Sequence, residues 1–226
     1  MTNNLTKNLY IQSITEFFGT ALLLAIITGS GIMGETLGAG NAAVALLGNS
    51  IATGCGLYVL ITLLGPISGA HFNPVVSIMM WRMGELNVRS LLVYLCTQFS
   101  GAIAGIWLTH LLFGLPILQQ SDNARNGFGI WVSEFVSTLV LLGVIYIGVK
   151  VAKDKPQLPD KTPILVALTV TAGYWFTSST FFANPAVTIA RSLTNTFVGI
   201  APADVLGFIL AQIAAILVMI SLVRKS

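Results

Sequence analysis

Two Asn-Pro dipeptides, Asn73-Pro74 and Asn184-Pro185, each head an apolar run that is too short to cross a bilayer. Asn is a strong N-cap and Pro suits the first helical position, so each pair predicts a helix start. The runs behind them extend about 8 to 12 residues, or about 12 to 18 Å of helix, which is about half the thickness of a bilayer core. The stretch Gly65–Met80 around the first pair therefore reads as a broken helix inside a membrane. Two half-helices with capped N-termini predict an inverted-repeat membrane protein whose site lies where those positive helix ends meet.

The rest of the chain agrees. Of its 226 residues 55% are hydrophobic and 8% charged, and the mean hydropathy is +0.85, which excludes a soluble globular domain. The 11 Lys and Arg against 8 Asp and Glu form no basic patch, so no nucleic-acid partner is expected. Cys55 and Cys96 both fall in apolar segments, and no disulfide is expected. Met1–Tyr10 lacks the charged and apolar regions of a signal peptide, so the first apolar segment is expected to remain as a span. Spans of near-bilayer length fall at Ile11–Met33, Ala43–Leu64, Arg89–Phe113, Gly129–Val149, Thr162–Trp175 with some extension, and Asp204–Val223. The fifth runs into the polar Thr177–Thr180 cluster, where its boundary can move by several residues.

Cation placement sets the orientation, because Lys and Arg are retained in cytoplasmic loops. With the N-terminus inside, nine cations fall inside: Lys7, Arg82, Arg89, Lys150, Lys153, Lys155, Lys161, Arg224 and Lys225. Only Arg125 and Arg191 fall outside. Both termini are thus expected in the cytoplasm of a plasma (inner) membrane protein, with the half-helices entering from opposite faces.

The two halves also resemble each other. Ser13–Leu24 matches Trp131–Leu142 and pairs Glu16 with Glu134, an offset of 118. Asn73–Ile78 matches Asn184–Ile189 at an offset of 111, and Gln98 pairs with Gln212 at 114. Three spans and one half-helix occur twice, over about 11–113 and about 129–223 of a single membrane domain, residues 1–226. An odd number of spans per copy inverts the second. Small residues, among them Gly54, Gly56, Gly101, Gly105, Ala211, Ala214 and Ala215, predict close helix crossings.

With both Asn-Pro motifs, Ser68–Pro74, Glu16–Thr20 and the repeat of three and a half helices in view, the chain resembles the major intrinsic proteins, or aquaporins, over nearly its whole length. The resemblance implies an all-α membrane fold of six transmembrane helices plus two half-helices, assembled as a homotetramer with one pore per protomer. It implies that Asn73-Pro74-Val75 and Asn184-Pro185-Ala186 line that pore at mid-membrane, where side-chain amides donate to passing oxygens. It implies that Glu16 and Glu134 accept hydrogen bonds from the half-helix loops, with Gln98 and Gln212 helping and His71 as the loop histidine. Bottom-up, an ionisable residue inside a span is a functional candidate, and Glu16 or Glu134 could instead carry protons in an ion-coupled transporter. Scaffolding is the expected role, because irregular backbone at membrane depth must be satisfied by protein.

One departure from the family pattern concerns selectivity. Many members follow Asn-Pro-Ala with an arginine that walls the outer constriction; here Val187 holds that place. Counting from the asparagines puts the other filter positions at Thr53, Ala172 and Phe181, with Gly173 the rival of Ala172. Arg191 lies one turn beyond Val187 and is not assigned to the filter, so the expected constriction carries no fixed charge. Such a filter implies small uncharged solutes: glycerol-like polyols, neutral metalloid acids such as arsenous acid, and water to an open extent. The competing function is an ion-coupled secondary transporter. No intramembrane histidine pair and no nucleophile–base arrangement stands out, so no enzyme, metal site or cofactor is expected.

The helix geometry generates a test. Some relatives are blocked by mercurials at a filter cysteine, a position held here by Phe181. Cys55 lies two residues from Thr53, about 200° around the helix, and so points away from the lumen. Solute flux should resist mercuric ion; inhibition that disappears in Cys55→Ser would show the second span to be rotated.

Overall fold

The computed structural model describes residues 8–223. Lys7, Arg224 and Lys225, three of the orienting cations, lie outside the described residues. Within them the chain forms eight helices: α1 Leu9–Leu37, α2 Ala42–Ser68, α3 Pro74–Met83, α4 Val88–Leu112, α5 Phe128–Asp154, α6 Thr162–Phe176, α7 Pro185–Arg191 and α8 Pro202–Leu222. Five of these, α1, α2, α4, α5 and α8, are long and apolar enough to cross a membrane.

Local chemistry places the helix ends. Asn8, Asn41 and Asn87 cap α1, α2 and α4 by accepting from Tyr10 N (2.9 Å), Ala43 N (3.0 Å) and Ser90 N (2.9 Å). The fifth expected span, α6, has only 15 residues, about 22 Å. It stops where Thr177 Oγ1 turns back onto the Gly173 carbonyl (2.7 Å) and the polar cluster begins. The second half-helix, α7, has 7 residues, fewer than the expected run, because Ser192 bonds the Ile189 carbonyl through both N (3.1 Å) and Oγ (2.7 Å).

Packing is closest where side chains are smallest. Helix α4 crosses α1 so tightly that a Cβ at Gly101 would fall on the Phe17 carbonyl, and one at Gly105 on the Ala21 carbonyl. Helix α2 meets α6 at Gly54, where a Cβ would fall on Thr171 Oγ1. The outer faces of α1, α2, α4, α5 and α8 present apolar side chains such as Leu63, Leu111, Ile147 and Leu210, while Glu16, Gln98, Glu134 and Gln212 are fully buried. The exterior is thus as apolar as the interior, where fully buried polar side chains stand among two apolar clusters, as a lipid-facing bundle requires. Both cysteines are free and exposed, with Cys55 on the outer face of α2.

The α1–α4 crossing is testable. Gly105→Val forces a methyl-bearing Cβ into the Ala21 backbone and should destabilise the fold by about 1–3 kcal/mol. A thermal melt of the detergent-solubilised protein measures this, with Gly143→Val, where a Cβ meets nothing within 4 Å, as the neutral control.

Candidate functional site

The half-helices α3 and α7 meet through their N-terminal loops, and the two loops have matching backbones. Gly69, Ala70 and Phe72 have φ of +88°, +49° and +49°; Thr180, Phe181 and Ala183, each 111 positions on, have +58°, +56° and +48°. A non-glycine residue in this left-handed region costs about 1–2 kcal/mol. Two buried carboxylates offset that strain. Glu16 Oε1 accepts from Ser68 Oγ (2.7 Å) and His71 N (2.9 Å), and Oε2 accepts from Phe72 N (2.7 Å) and Gln98 Nε2 (2.9 Å). Glu134 Oε1 accepts from Ala183 N (2.5 Å) and Gln212 Nε2 (2.7 Å). The glutamines continue inward, Gln98 Nε2 to Ser77 Oγ and Gln212 Nε2 to Thr188 Oγ1, both 2.8 Å. His71 Nδ1 also lies 3.0 Å from Ser77 Oγ, and Tyr94 OH donates to the Ser68 carbonyl (2.7 Å).

The asparagines lock the two loops together. Asn73 Nδ2 donates to the Ala183 carbonyl and Asn184 Nδ2 to the Phe72 carbonyl, both 2.8 Å. Their oxygens cap the half-helices, Asn73 Oδ1 accepting from Val75 N (3.1 Å) and Asn184 Oδ1 from Ala186 N (3.0 Å) and Val187 N (3.3 Å). Each amide thus uses its oxygen on the cap and one N–H across the junction. One N–H remains for an oxygen passing alongside.

Both asparagines line a cavity of about 860 Å³ that begins among Glu85, Lys153 and Asp160 and ends at Phe181, Phe182, Val187 and Arg191. Thr53 and His71 line it as well, whereas Glu16, Glu134, Gln98 and Gln212 stand behind the wall. Pro74, Val75, Pro185 and Ala186 are buried in the half-helices and do not reach the lumen.

Two sequence expectations need correction. Ala172 does not line the cavity: it is exposed on the outer face of α6. Its rival Gly173 is buried against the Phe181 ring, where a Cβ would collide. Near Thr53 the α6 side chain in the wall is Tyr174, whose hydroxyl lies 3.2 Å from Thr53 Oγ1. The expectation of a charge-free end also fails. Arg191, only 2% exposed, lines the same cavity as Val187, with its guanidinium carbon 3.5 Å from the Phe182 ring centroid and its Nε bonded to the Val198 carbonyl. A long helical side chain leans toward the N-terminus of its helix, so Arg191 reaches back over the turn that carries Val187.

A second arginine escaped the sequence reading of the site altogether. Arg125, in the connection between α4 and α5, lies 5.4 Å from the centroid of the same Phe182 ring and lines a separate polar cavity of about 500 Å³ with Asn123, Asn195 and Phe197. Its Nε donates to the Gly199 carbonyl (2.7 Å), its terminal nitrogens to Thr180 Oγ1 (3.4 Å) and the Phe197 carbonyl (3.3 Å), and its backbone N to Asp204 Oδ2 (2.7 Å). Its signal in the sequence is positional: Arg125 and Arg191 are the two cations that fall outside the set expected on the cytoplasmic side.

Two half-helices held tip to tip beside one continuous cavity define a membrane-channel architecture. The chain belongs to the family of the major intrinsic protein, whose model matches residues 4–198. It is 46% identical over 213 residues, 94% of this chain and 88% of the relative, to the aquaglyceroporin AqpS of Rhizobium meliloti (strain 1021). It is 36% identical over 190 residues, 74% of this chain and 69% of the relative, to the propanediol uptake facilitator PduF of Citrobacter freundii. The aquaglyceroporin from Plasmodium falciparum has the same fold, with a TM-score of 0.65 over 95% of each chain at 22% identity.

The loop network makes a sharp prediction. Glu16→Gln replaces an acceptor of four hydrogen bonds with a group whose NH₂ opposes some of those donors, at a cost of about 1–3 kcal/mol for each donor left unpaired. The variant should show a clearly lowered melting temperature and little folded protein in the membrane. A well-folded Glu16→Gln with normal solute flux would mean that the carboxylate does not hold the loop.

Proposed function

We propose that this protein is a passive pore for small uncharged solutes, with glycerol-sized polyols as its main cargo and neutral trihydroxide metalloid acids among the solutes admitted. The observation that carries the reading is the placement of both asparagine amides on one continuous cavity while both buried carboxylates lie behind its wall. Hydroxylated solutes accept from the free amide N–H groups while their carbon face runs against Leu23, Ile27, Val76, Leu141, Ile145 and Val170. A proton-coupled carrier needs a carboxylate that meets the lumen within the membrane, and there Glu16 and Glu134 stand behind the wall, Glu16 with both oxygens occupied by hydrogen-bond donors. The relatives named an aquaglyceroporin and a propanediol uptake facilitator support the polyol assignment.

The protein works in this reading as a homotetramer in the plasma (inner) membrane, with both termini cytoplasmic and repeats of about 11–113 and 129–223. The Lys153 end of the cavity then faces the cytoplasm and the Arg125 end the outside. The short Val187 side chain, beside Thr53 and Phe181 on the cavity wall, supports a polyol-sized cargo.

Proteoliposome flux tests this. Glycerol uptake should rise linearly with concentration and ignore an imposed proton gradient; saturable, gradient-driven uptake would establish the transporter instead. Val187→Arg adds a long five-donor side chain to the narrow end and should lower the ratio of glycerol to water permeability several-fold, read by stopped-flow light scattering at matched protein density.

A further inference from the structure

The positive-inside distribution leaves two exceptions, Arg125 and Arg191, and the structure brings both to one aromatic ring. Phe182 and Arg191 close the long cavity, and Arg125 lines the outer one. One phenyl ring thus lies near two guanidinium groups, one belonging to each cavity. No ion pair neutralises either arginine among the described residues, where the only bridge is Lys153–Glu85. Arg191 spends its Nε on the Val198 carbonyl; among the described residues its terminal nitrogens meet no hydrogen-bond partner, although the side chain is buried and lines the cavity.

We infer that Arg191 is the specificity-determining cation of the outer constriction, acting from one turn beyond Val187, and that Arg125 is the positioning residue that holds Phe182 and with it Arg191. The inference rests on the channel reading above. Val187 is short because the arginine stem from the next turn has to pass over it. The guanidinium then offers unspent donors to a solute hydroxyl and a permanent charge that repels cations in a desolvated passage. Arg125 reaches the ring from a connection held by Gly199, Phe197, Thr180 and Asp204, so its own position is fixed from four sides.

The test is the ratio of methylammonium to glycerol uptake in proteoliposomes at matched protein density. Arg191→Ala should raise that ratio about tenfold or more, since a unit charge in a narrow passage is removed. Arg191→Lys should fall between, because a point charge cannot hold the carbonyl and the ring together. Val187→Arg added to Arg191→Ala should restore exclusion. Arg125→Ala should raise the ratio by a smaller factor, and the double variant Arg125→Ala/Arg191→Ala should leak no more than Arg191→Ala alone, as expected of a residue that acts through another. An unchanged ratio in Arg191→Ala overturns the inference, as does leakage that Val187→Arg fails to reverse. If Arg191→Ala does not fold, Arg191→Met keeps the apolar stem against Phe182 and gives the same reading. If neither folds while Arg125→Ala keeps wild-type selectivity, Arg191 is a brace and the inference falls. If both fail and Arg125→Ala leaks cations, the inference stands. Absence of glycerol flux in the wild type would instead sink the channel reading, so the two failures are distinguishable.

Discussion

A backbone that leaves the helix at mid-membrane must find every hydrogen bond within the protein, and the rest of this structure follows from how that is met. Lipid offers no hydrogen bonds at that depth, and each group left unsatisfied away from the lumen costs several kcal/mol. The chain answers with one buried glutamate per half, aimed at the loop before each half-helix. A carboxylate is suited to this place because it only accepts, and the exposed backbone groups there are N–H donors. In the first half α4 sits against α1 at glycines, which brings Gln98 within bonding distance of Glu16. Small residues on a lipid-length helix thus serve a polar purpose two layers away.

The asparagines add a constraint of a different kind. Each ties its own helix start to the opposite loop, so neither half-helix can shift without breaking a cap and a crossing bond in the other half. The centre of the cavity is therefore built from reciprocal, nearly identical parts. A passage with matching halves has little room to discriminate between solutes beyond size and hydrogen bonding. Discrimination then falls to a level where the halves differ, and Val187, Phe182, Arg191 and Arg125 lie on one side only.

Much of the fold could be read from the chain because its signals are local or repeated. Apolar run length marks the spans, Asn-Pro marks the half-helix starts, and matching offsets expose the second copy. Three of the four filter positions drawn from the sequence, Thr53, Phe181 and Val187, do line the cavity. Ala172 failed because its face depends on helix rotation, and a helix apolar on all sides carries no periodicity to show which face is inward. Tyr174, two residues on, lies about 200° around α6 from it. Arg191 was misjudged for another reason: counting along a helix locates a Cα, whereas an arginine head lies several ångströms away along the stem. Arg125 belongs to a connection outside both repeats, so no internal match could have pointed to it.

The location of charge along this pore has a physical logic that the repeat alone does not supply. Cations in water-exposed loops are expected to follow the insertion rule and gather at one face, where they stay hydrated. A cation buried inside the protein must instead be repaid for desolvation. Arg191 is repaid by a carbonyl and an aromatic face rather than by a carboxylate. That choice matters, because a carboxylate partner would cancel the charge and leave the lumen electrically neutral. In the reading proposed above, a carbonyl and a ring hold the guanidinium in place without a salt bridge among the described residues and leave its terminal donors to the passage.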